Sequence, residues 1–103
     1  MSTPTGNYTS NITKLNSSNY EAWRKAITAV LVTLNLWAHV LGTAAVADYA
    51  SEAEYSNAAL RCFSVLVSTI DYSQFGRIHD NDTARALWKR LEEYFRPRGF
   101  GIR

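Results

Sequence analysis

Residues 14–37 read KLNSSNYEAWRKAITAVLVTLNLW, and the spacing of their apolar side chains decides the fold. A short lead-in rich in Asn and Ser runs into a segment where Tyr20, Trp23, Ile27, Val30, Leu31 and Leu34 recur at helical spacing. These positions share one helix face, while Glu21, Arg24, Lys25 and Thr28 fall away from it. Ser18 or Asn19 offers a side-chain oxygen to the unpaired N–H groups of the helix start. Asn35 then breaks the period. The following Leu36-Trp37-Ala38-His39-Val40-Leu41 predicts a short second helix, ending at Gly42, where a positive φ suits the residue.

Residues 42–50 show no clean period and read as a connection with at most partial helix. Ser51 caps the next segment, and Glu52 and Glu54 lie in its first turn, where carboxylates favour the helix dipole. Tyr55, Ala59, Cys62, Leu66 and Ile70 form a stripe that Phe63 and Val67 widen, so this helix is expected to be central. Residues 71–79, with Phe75 and Ile78 around Gly76, predict a short helical turn. Asn81 and Asp82 are placed to cap a last helix with Ala84, Leu87, Trp88, Leu91 and Phe95 inside. Arg85, Lys89, Glu92 and Glu93 lie on its wet side, Lys89 and Glu93 at pairing distance. Pro97 stops it. No hairpin signal and no βαβ alternation appears. The expected fold is all-α, a small orthogonal bundle of four or five short helices spanning residues 14–96. A flexible arm of residues 1–13 precedes it and a basic tail of residues 97–103 follows.

The chain has 103 residues, of which 47% are hydrophobic and 19% charged, the composition of one globular domain and not of a disordered segment. A formal net charge of +2 points to no particular partner. The single Cys62 forbids an internal disulfide and falls in the apolar stripe, where it reads as an inert core thiol with a raised pKa. No charged n-region precedes an apolar stretch near Met1, so no signal peptide is expected, and Ser2 excludes myristoylation. No run of 18 apolar residues suggests a membrane span. A cytoplasmic protein follows as the expectation, and the sequons at Asn7, Asn11, Asn16 and Asn81 then read as turn and cap chemistry.

The chemistry of catalysis is not visible. The five glycines never approach a phosphate-loop spacing. One Cys and two His residues far apart in sequence do not make a zinc site. His39 sits near a helix C-terminus, where a cation suits the dipole, and His79 in a turn. Trp23, Trp37 and Trp88 lie on apolar stripes and read as packing residues whose indole N–H groups need partners. Trp37, on the shortest helix, is the candidate for a contact surface.

In this setting three stretches acquire a common reading. Lys14-Leu15-Asn16-Ser17-Ser18-Asn19-Tyr20-Glu21-Ala22-Trp23 resembles the K-L-x-G-x-N-Y-x-x-W approach to the first helix of the N-terminal, capsid-like region of the Gag polyprotein of copia-type LTR retrotransposons. Leu36, Trp37 and Val40 resemble its LW-x-x-(V/I) step. Ala84, Arg85, Trp88, Leu91 and Phe95 resemble its A-(K/R)-x-x-W-x-x-L-x-x-x-(Y/F) helix. Order and separation match over about residues 14–95, with Ser17 standing where the family often has Gly. The resemblance implies a capsid-lobe-like helical domain that self-associates weakly into particles around element RNA. From the residues themselves no enzyme, cofactor, membrane or small-molecule substrate is expected. Leu15, Tyr20, Trp23, Leu36, Trp37, Trp88, Leu91 and Phe95 carry the motifs. Exposed apolar positions such as Val32, Val46 and Tyr49 are the expected contacts between copies. Two other functions fit the same residues. One is a domesticated, Gag-derived module that binds another protein. The other is weak RNA binding through Arg96, Arg98 and Arg103, which share a tail with Gly and Phe.

Overall fold

A computed structural model of the chain describes Thr9 and residues 11–96. Within residues 11–96 four α-helices follow in order: α1 (Tyr20–Thr33), α2 (Trp37–Leu41), α3 (Glu52–Ser68) and α4 (Ala84–Phe95). Two 3₁₀ turns, Val46–Asp48 and Tyr72–Arg77, sit in the connections on either side of α3. Among the described residues the nearest approach to a sheet is one isolated parallel bridge between Leu15 and Ile70. The fold is all-α.

The lead-in does more than precede α1. Leu15 is fully buried, its N–H donates to the Thr69 carbonyl at 2.8 Å, and its own carbonyl accepts from the Asp71 N–H at 2.9 Å. The start of the domain is thereby tied to the end of α3. Asn19 occupies the N-cap position of α1, yet neither it nor Ser18 caps the helix as predicted. The Asn19 Oδ1 accepts from the Asn16 N–H at 2.8 Å, and its Nδ2 donates to the Lys14 carbonyl at 2.9 Å. Ser18 donates to Asn16 Oδ1 through both its N–H and its hydroxyl. Short polar side chains bond nearby backbone in turns as readily as at caps. Here they fold the lead-in so that Leu15 reaches α3.

Along α1, Tyr20, Trp23, Ile27 and Leu31 are buried, and Val30 and Leu34 lie half-buried against the same core, as the period required. Asn35 turns the chain with φ +64°, a region that Asn enters more easily than most residues. Gly42 ends α2 at φ +80°. A Cβ there would lie 2.7 Å from Arg85 Cδ, so conformation and space both call for glycine. Above this point the Arg85 Nη1 donates to the Val40 and Leu41 carbonyls at 3.2 and 2.7 Å, satisfying the open end of α2.

Ser51 caps α3 through its hydroxyl, which accepts from the Glu54 N–H at 3.1 Å. The buried face of α3 runs through Ala58, Cys62, Val65 and Leu66, rotated slightly from the predicted stripe, in which Tyr55 and Ala59 are half-buried. The central position is shared. α3 meets α2, α4 and the first 3₁₀ turn, while α4 meets α2, α3 and the second.

The cap of α4 is Thr83, whose hydroxyl accepts from the Ala86 N–H at 3.1 Å, and not Asn81 or Asp82. Asp82 is committed elsewhere: it accepts from the His79 N–H at 2.8 Å and takes a two-pronged bond from Arg90 at 2.6 and 2.9 Å. That bond holds the Asp82 carboxyl below the usual carboxylate range. The expected Lys89–Glu93 pair does not form. Instead Glu92 pairs with Arg96 at 2.7 Å, and Arg96 also approaches Glu21 at 3.6 Å, linking the start of α1 to the end of α4.

Candidate interaction surface

The motif residues converge. Phe95 of α4 stacks on Tyr20 of α1 with ring centroids 5.4 Å apart. Tyr20 neighbours Trp23 at 6.1 Å, Trp23 neighbours Trp88 at 5.7 Å, and Trp37 meets Trp88 edge-on at 5.3 Å. One aromatic spine thus runs from Phe95 of α4 into α1, back to α4 at Trp88 and on to Trp37 of α2, with Leu15, Leu36 and Leu91 buried in the same core. Aromatic pairs in offset or edge-on geometry add about 0.5–1.5 kcal/mol each beyond the area they bury. These residues build the scaffold.

Within that core, the Trp23 indole N–H finds the Thr69 hydroxyl at 3.0 Å. The Tyr20 hydroxyl is buried with no partner among the described residues, and burial, helped by the Glu92 charge, pushes its pKa up to about 12. Cys62 is fully buried, its thiol 3.5 Å from the Leu36 carbonyl and pushed up to about 12 by burial, which matches the inert thiol expected from the stripe. His39 lies in the last turn of α2, where the sequence put it, and it is buried there: its Nε2 lies 2.7 Å from the Tyr49 hydroxyl, and burial lowers its pKa. Tyr55 closes the cluster, 5.4 Å from the imidazole.

That cluster also corrects the reading of Tyr49 as a free contact residue, since it is half-buried between His39 and Tyr55. Val32 and Val46 are exposed, at 55% and 44%. Trp37 is half-buried, so one side of it remains open. Other large exposed apolar side chains do not stand out in the sequence pattern: Leu41, Leu60, Tyr72, Phe75 and Tyr94. Leu60 leaves a trace there, as a large apolar residue that the α3 stripe does not include. Tyr72 and Phe75 leave none, because apolar residues in a turn have no period to violate.

Of the three arginines assigned to a basic tail, Arg96 is engaged with Glu92 and Glu21. Arg98 and Arg103 lie outside the described residues.

A shallow cavity of about 290 Å³ opens beside the end of the spine. Its walls are Trp37, Val40, Leu41 and Trp88, with Arg24, Arg85, Lys89 and Glu92 around them. A second cavity, of about 270 Å³, lies between α3 and the start of α4, lined by Leu60, Phe63 and Tyr55 among others. Among the described residues no three His, Cys, Asp or Glu side chains are grouped to hold a metal ion, and no helix is long and apolar enough to cross a membrane. No protein family, curated protein or solved structure matches this chain.

Proposed function

We propose that this domain is a Gag-like capsid lobe of a copia-type element, a structural subunit of the cytoplasm that associates with copies of itself around element RNA. One observation carries this reading beyond the motif resemblance. Every helical element within residues 11–96 presents at least one large apolar side chain to solvent: Val32 on α1, Leu41 on α2, Val46 on the first 3₁₀ turn, Leu60 on α3, Tyr72 and Phe75 on the second turn, and Tyr94 on α4. A protein built to hold one small ligand concentrates such residues in one deep pocket. A shell subunit needs small contacts in several directions, each weak, whose sum holds the particle.

Size-exclusion chromatography with light scattering, from micromolar to about millimolar concentration, tests the proposal together with electron microscopy. The apparent mass should rise with concentration and particles should form. A strict monomer throughout, with no particles, overturns it. A second reading, a domesticated module that binds another protein, is favoured by the α3–α4 cavity with its exposed Leu60. Stoichiometric capture of one foreign protein without self-association would select it.

A further inference from the structure

The cavity at the end of the aromatic spine has a definite chemistry. Its floor is apolar, made by the edge-on pair Trp37 and Trp88, and Leu41 stands 47% exposed at its margin. Its rim is cationic. Glu92 is taken by Arg96, and Arg24 is offset by Glu21, but among the described residues no carboxylate pairs with Arg85 or Lys89. Arg85 spends one nitrogen on two uncharged carbonyls at the end of α2. Such a surface takes an apolar tip flanked by carboxylates.

The chain itself carries that partner. Val46, 44% exposed, sits on the 3₁₀ turn that packs against α3. Beside it in sequence come Asp48, Glu52 and Glu54, all exposed. The side chains of Glu52 and Glu54 enter no ion pair among the described residues. Resting on the self-association proposed above, we infer that the acidic segment 46–54 of one copy docks on the Trp37–Trp88 cavity of a second copy, Glu52 and Glu54 facing Lys89 and Arg85. Only residues 42–45 separate the cavity margin at Leu41 from the knob at Val46. Two neighbouring, mutually complementary patches pair reciprocally about a two-fold axis, each used twice. Exposed ion pairs contribute little singly, so the contact is weak and salt-sensitive, and it selects orientation more than it adds affinity.

Charge exchange in the full chain tests this by sedimentation equilibrium. Dimerisation of the unaltered chain should weaken about tenfold between about 50 mM and about 500 mM salt. Lys89→Glu, on an exposed position, and the pair Glu52→Lys with Glu54→Lys should each weaken it about tenfold, and an equimolar mixture of the two variants should restore it. Should the lysines unsettle the start of α3, the pair Glu52→Gln with Glu54→Gln serves in their place and is expected to weaken the dimer as well. Dimerisation indifferent to these changes, or variants that weaken it without recovery on mixing, overturns this contact and leaves self-association standing. An unaltered chain that stays monomeric at every concentration overturns both.

Discussion

The indole nitrogen of Trp23 donates a 3.0 Å hydrogen bond to the hydroxyl of Thr69, which in turn donates to the Leu66 carbonyl at 2.9 Å. Both side chains are almost wholly buried, so the bond joins α1 to the end of α3 away from water. Thr69→Val keeps the shape and removes the acceptor. The orphaned indole N–H then costs about 1–3 kcal/mol, which urea unfolding followed by tryptophan fluorescence will register. A smaller loss than about 0.5 kcal/mol would mean that the indole finds another partner.

Tyr20 predicts the opposite sign. Its hydroxyl already lies buried without a partner among the described residues, so Tyr20→Phe removes a desolvated group and no hydrogen bond. The variant should be as stable as the parent or up to about 1 kcal/mol more stable. In the parent, absorbance titration should show this phenol ionising only near about 12.

Gly42→Ala should cost about 2–3 kcal/mol. Roughly 1 kcal/mol of that is the left-handed backbone, and the remainder is displacement of the Arg85 guanidinium that closes α2. Chemical unfolding of Gly42→Ala, Arg85→Ala and the double variant checks the coupling. The double variant should lose less than the two single losses added together, because the clash disappears with the arginine.

His39 makes stability depend on pH in a stated direction. Burial lowers its folded pKa below the ordinary value near 6.5, so the unfolded chain takes up the proton first as pH falls. The contribution is complete above about pH 6.5 and is lost progressively as pH falls through the folded pKa. Thermal midpoints of the parent should drop over that range, and those of His39→Gln should be flatter. Equal slopes would show that the imidazole is not desolvated.

Helices that bury a clean stripe are legible in the order of residues alone. Tyr20, Trp23, Ile27 and Leu31 fall inward because a helix with one apolar face has one way to turn it, and α4 follows the same logic through Ala84, Leu87, Trp88 and Leu91. Where α3 is apolar on several sides, its pattern tolerates more than one rotation, and the buried set includes Ala58 and Val65. Caps are harder. Asn19 and Asp82 have the right chemistry to cap a helix, but each is used by the chain beside it, Asn19 by the Lys14–Asn16 turn and Asp82 by Arg90. Composition cannot rank two partners for one oxygen; distance does. The interaction surface is the least legible, because Lys89, Glu52 and Glu54 matter there only for the pairs they leave unmade.

The bridge between Leu15 and Ile70 bears on how the molecule comes into being. A ribosome delivers Leu15 and all of α1 long before it delivers Thr69 and Asp71, the residues that hold Leu15 in place. Through that interval the indole of Trp23 has neither Thr69 nor Trp88 to meet, and an apolar helix face stays open to water or to chaperones. Pairings between distant parts of a chain also close slowly. Leu15 and α1 are therefore among the last parts of the domain to be secured, and translation that halts before residue 69 leaves that apolar face uncovered.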